Sequence, residues 1–90
     1  MNTVFLLMAR HEAKVIIPIE TVCADYFPSL KVHNLLRKVS AGDIALPVTR
    51  MDNSERGAKG VHVQDLADYI DKRRAAAVKE CEQLCGIRLA

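Results

Sequence analysis

No stretch of the chain approaches the roughly 20 consecutive apolar residues that a membrane span needs. The short run VFLLMA gives way at once to Arg10, Glu12 and Lys14, so a soluble protein is expected. The amino terminus MNTVFLLMARHE lacks the basic flank and small-residue cleavage site of a secretory signal, and nothing in it marks the chain for export. No Cys-x-x-Cys pair occurs, and the three cysteines, Cys23, Cys81 and Cys85, are odd in number, which fits a reducing cytoplasm. Catalytic signatures are missing too: there is no nucleophile elbow, no phosphate-binding loop and no HExxH. Gly42, Gly57, Gly60 and Gly86 each suit a cap or a turn. His11, His33 and His62 fall in three separate elements without ligand spacing, which argues against a metal site. The expectation is a protein that is not an enzyme, with no cofactor and no metal.

What is present is enough for one compact domain: 90 residues, of which 50% are hydrophobic. Thirteen Lys plus Arg against eleven Asp plus Glu leave a formal charge of only +2, so overall charge does not identify a nucleic-acid binder. Its distribution is more informative. Between Lys31 and Lys59 the bases are Lys31, Arg37, Lys38, Arg50, Arg56 and Lys59, against Asp43, Asp52 and Glu55 alone.

Val4, Leu7, Met8 and His11 recur at helical spacing, with Asn2 or Thr3 placed to cap a first helix over Thr3 to Glu12. Lys14 to Ile17 is β-branched and extended, and Pro18 suits the first turn of a helix running to Tyr26. That helix has Ile19, Val22, Cys23 and Tyr26 on one face. Ser29 is a cap residue for a third helix with the stripe Val32, Leu35, Leu36 and Val39, closed by Gly42 in the left-handed conformation.

Ile44 to Met51 and Val61 to Val63 read as two extended runs joined by the polar tip DNSERGAKG, with Pro47 allowed only at an edge or bulge. Gln64 or Asp65 then opens a long helix to Leu84 or Cys85, stopped by Gly86, with Asp65, Asp68 and Asp71 near its positive end. The expected fold is mainly α with a small β-hairpin. A helix-turn-helix over about 18–41, a wing over about 44–63 and a long C-terminal helix over about 64–85 form a winged helix-turn-helix.

The third helix is the candidate recognition helix. No acid occurs between Ser29 and Ala41, whereas an ordinary solvent-facing helix mixes both signs. At about 100° per residue, Asn34 and Arg37 point away from the apolar stripe, flanked by Lys31 and Lys38 on one side and by His33 and Ser40 on the other. Asparagine can read adenine and arginine can read guanine, so Asn34 and Arg37 are candidates for base contacts. Lys31, His33 and Lys38 suit the DNA backbone, and Arg50, Arg56 and Lys59 sit where a wing would meet phosphates or the minor groove.

The succession of MNTVFLLMARHEAKVIIPIETVCADYFPSL, NLLRKVSAGDIALPVTRMD and AKGVHVQDLADYIDKRRAAAVKECEQLCG closely resembles the pyocin activator protein family, PrtN, over almost the whole chain. More loosely, GDIALP followed by VHVQDLADYID resembles excisionase and MerR-like winged helices. The resemblance implies a transcription activator of bacteriocin (pyocin) or prophage-like genes, acting on promoter DNA in the bacterial cytoplasm, associated with the nucleoid, and recruiting RNA polymerase. An excisionase-like architectural protein that bends DNA, or a protein-interaction module such as an antirepressor, is the alternative.

The long last helix carries Leu66, Ile70, Ala77, Cys81 and Leu84 as an apolar stripe, in which Cys81 and Cys85 are expected to pack as small apolar residues despite imitating half a metal site. About 20 residues of helix span about 30 Å, more than so small a core can cover. The distal half is therefore expected on another copy or on the first helix, and a homodimer would match paired half-sites on DNA.

Overall fold

The computed structural model describes residues 2–54 and 56–86. In chain order the elements are α1 (Thr3–Arg10), β1 (Ile16–Pro18), α2 (Ile19–Tyr26), α3 (Val32–Ser40), β2 (Thr49–Arg50), β3 (Lys59–His62) and α4 (Val63–Cys85). The strands form one antiparallel sheet in the order β1-β3-β2.

Asn2 caps α1, its side-chain oxygen accepting from the Val4 N–H at 2.8 Å. The helix ends in a tight reversal through Glu12 (φ 58) and Ala13 (φ 61), a conformation that costs a side-chain-bearing residue roughly 1–2 kcal/mol. The Ala13 N–H donates to the Met8 carbonyl at 2.7 Å and the Lys14 N–H to that of His11 at 3.2 Å. These bonds turn the chain into β1.

β1 pairs along the central strand in the register Ile16↔His62, Ile17↔Val61 and Pro18↔Gly60. The last pairing needs a residue without a side chain. A Cβ on Gly60 would stand 2.6 Å from both the Ile16 Cγ2 and the Ile17 carbonyl oxygen, and the latter is backbone that cannot swing aside. Gly60→Ala is therefore expected to cost about 1–3 kcal/mol, the usual range for overpacking. Thermal unfolding followed by circular dichroism measures it, and an unchanged midpoint would contradict this packing.

The core comprises Leu7, Ile17, Ile19, Val22, Cys23, Leu35, Leu46, Val61, Val63, Leu66 and Ala67, drawn from every helix and two of the strands. His11 is buried among them, and its Nε2 shares a hydrogen bond of 2.8 Å with the Tyr26 hydroxyl. Burial, then the Asp25 charge, pushes the Tyr26 phenol above its ordinary 10.0, opposed by Arg10. Because the folded value is raised, this group's contribution to stability is complete below pH 10.0 and declines as pH rises through the folded value.

Four details differ from the sequence-based expectation. Ser29 does not cap α3: the Leu30 N–H donates to the Phe27 carbonyl at 3.0 Å and the Cys23 thiol to the Leu30 carbonyl at 3.2 Å, so residues 27–30 form a turn and Lys31 is the N-cap. Of the extended run at 44–51 only Thr49–Arg50 forms a strand, because Pro47 has no N–H for a ladder and Leu46 turns into the core. Val63 opens α4 instead of ending a strand, with the His62 Nδ1 accepting from the Gln64 N–H at 2.9 Å.

The fourth difference is the largest. Leu66 is buried and Ile70 half-buried, but Ala77, Cys81, Cys85 and Leu84 are exposed, Leu84 by 80%. The cysteines at 81 and 85 are thus not core residues, unlike Cys23. The core ends near Asp71, whose carboxylate accepts from the Thr3 hydroxyl at 2.7 Å. A helix of 23 residues, about 35 Å long, extends well past it.

Candidate nucleic-acid interface

The orientation of α3 follows from one residue. Leu35 is fully buried, while Val32, Leu36 and Val39 are only half-buried. The buried direction is therefore centred nearer Leu35 than the middle of the four-residue stripe. At about 100° per residue this turns Asn34 and Lys38 toward cover and leaves Arg37 almost opposite the core. Burial agrees: His33, Arg37 and Ser40 are exposed, as is Lys31 at the cap, and Asn34 and Lys38 are half-buried. Of the two side chains expected to point straight outward, Arg37 does so fully.

Gly42, at φ 81, ends the helix, and the Asp43 N–H donates back to the Lys38 carbonyl at 2.9 Å. The chain then passes through Leu46, which is buried, to the hairpin. β2 and β3 pair as Thr49↔Gly60 and Arg50↔Lys59, and the Met51 N–H donates to the Ala58 carbonyl at 3.0 Å. In the tip, Asp52 accepts from the Ser54 N–H at 2.7 Å. The Ser54 hydroxyl, then its N–H, hold the Asp52 carboxyl below its ordinary value.

Two grooves place the hairpin beside α3. One is lined by Val32 and Leu36 of the helix, Ile19 and Glu20 of α2, and Arg56 to Lys59 of the hairpin. The other runs from Leu36, Val39 and Ser40 across Leu46 to Val48 to Arg50 and Lys59. Leu36 and Lys59 border both. His33, Arg37 and Ser40 follow Leu36 around the helix toward solvent, so they share a flank with Arg50, Arg56 and Lys59. Asn34 and Lys38 lie on the far edge of α3.

This surface can do one kind of chemistry well. Permanent cations and N–H donors on the exposed side of a helix and an adjoining loop suit phosphates and base edges. Ser40, which is exposed and lines the second groove, adds a hydroxyl donor on the same side of the helix as His33, two turns further on. Glu20 is an acid at the groove wall that charge patterning within 31–59 did not reveal. Among the described residues no group of three or more His, Cys, Asp and Glu could hold a metal ion, and no helix is long and apolar enough to cross a membrane.

A family model described as pyocin activator protein PrtN matches residues 3–77, from the start of α1 to the middle of α4. Neither the curated proteins nor the solved structures give a match.

Proposed function

Since the chain belongs to the pyocin activator protein PrtN family, we propose that it is a transcription activator that binds promoter DNA of bacteriocin or prophage-like genes through α3 and the β2–β3 hairpin. It would do so in the bacterial cytoplasm, at the nucleoid. The observation that carries this reading is the acid-free helix α3 lying alongside a hairpin with Arg50, Arg56 and Lys59. The element order and the strand order β1-β3-β2 fit a winged helix-turn-helix. In that arrangement the second helix of the pair enters the major groove and the hairpin is the wing.

Arg37 is the leading candidate for a base contact, with Asn34 at the edge of the same helix. Lys31, Lys38 and the three hairpin cations neutralise phosphates, and His33 contacts the DNA backbone. Two chains joined through the distal part of α4 would present two such helices to paired half-sites. RNA polymerase recruitment then accounts for activation.

Footprinting on promoter DNA tests the reading: a protected, repeated site is expected, and the absence of protection by folded protein contradicts it. Binding should weaken steeply with salt, and Lys38→Ala should lower the slope of log affinity against log salt by about one. DNA bending without activation in a reporter assay would instead identify an excisionase-like architectural protein. Salt-insensitive binding to a protein partner would identify an interaction module.

A further inference from the structure

Cys81 and Cys85 stand one turn apart on α4, both exposed, with their Sγ atoms 3.8 Å apart. The family match ends at residue 77, so this pair belongs to the part of the helix beyond the matched segment. Zinc bound tetrahedrally by thiolates at about 2.3 Å separates neighbouring sulfurs by about 3.8 Å. The helix thus already holds two sulfurs at the spacing of two corners of such a site.

Among the described residues no cluster of three or more ligating side chains occurs, so the other two corners do not come from the residues described around this pair. Structural zinc takes four protein ligands. We infer that Cys81 and Cys85 are half of a four-thiolate zinc site that a second copy of this chain completes.

The inference rests on the pairing of two chains through distal α4 set out above. Its surroundings favour close approach of a second helix: Ala77, one turn before Cys81 on the same face, is small and exposed, and Leu84 is an uncovered apolar side chain one turn from Cys81. On loading, four S–H bonds break and four Zn–S bonds form. The four protons pass to solvent and no electron is transferred.

The test is titration of the reduced, full-length protein with Co²⁺ as a spectroscopic probe, followed by displacement with Zn²⁺. The expected result is one metal per two chains, the visible bands of tetrahedral cobalt with thiolate charge-transfer absorption, and about four protons released per metal. Cys81→Ser and Cys85→Ser should each abolish the four-thiolate spectrum while helicity by circular dichroism is retained, since both side chains are exposed. No cobalt bands at micromolar metal, one metal per chain, or bands that persist in the double variant would each overturn the proposal. Sedimentation in chelator separates this from the reading it rests on: a metal-free dimer leaves the pairing intact even where the metal site fails.

Discussion

Arg37→Glu is expected to weaken promoter binding by at least about a hundredfold with no loss of helix content. A bidentate base contact contributes about 1–3 kcal/mol of discrimination. Reversing the charge adds like-charge repulsion against phosphate, which costs several kcal/mol more across an interface. The fold should not register the change, because the Arg37 side chain is exposed opposite the buried Leu35 and, among the described residues, makes no ion pair or hydrogen bond. Lys72→Glu, an equal change in net charge on the exposed side of α4 facing away from Cys81, is the control. It should affect only the long-range attraction, which salt screens over about 10 Å at 0.1 M. Fluorescence anisotropy with a promoter duplex measures both, and similar losses for the two variants would place the DNA elsewhere.

The second large effect concerns stability. Leu66 is fully buried at the start of α4, where the helix meets Tyr26 and Phe27 of the α2 end and its own Tyr69 and Ile70. Truncation there removes apolar contacts and leaves a cavity, so Leu66→Ala should cost about 2–5 kcal/mol. In a chain of this size each kcal/mol lowers the midpoint by about 4–8 °C. Leu84→Ala, on the same helix but 80% exposed, should change the stability of a single chain by less than about 0.5 kcal/mol. If the two variants destabilised the isolated chain equally, the division of α4 into a docked half and a projecting half would be wrong.

That division was only partly legible in the sequence. Apolar periodicity gives α4 its length correctly, because Gly86 and the end of the pattern mark a stop that depends on local conformation alone. It does not tell which turns of the pattern are covered, since Ala77, Cys81 and Leu84 repeat at the same spacing as Leu66 and Ile70. Coverage depends on how far the rest of the chain reaches, and the core runs out near Asp71.

The same contrast holds at the candidate interface. Asn2 and Gly42 act as caps as their chemistry predicts, and the acid-free character of α3 is plain from the letters. The start of α3 is not, because a non-local thiol bond from Cys23 holds Leu30 in a turn. The pairing of β1 with β3, which makes Gly60 indispensable, joins residues more than 40 positions apart. No pattern within either segment specifies that partner. It is this pairing that anchors β3 to the core and brings Arg50, Arg56 and Lys59 beside α3.

The central claim is that α3 and the hairpin form one DNA-binding surface. Backbone amide NMR of the labelled protein, titrated with a promoter duplex at moderate salt, tests it most directly. The predicted result is that the largest shifts fall in residues 31–40 and 50–60 together, with the distal turns of α4 little changed. Shifts confined to α1 or α4, or shifts in α3 without the hairpin, would contradict it.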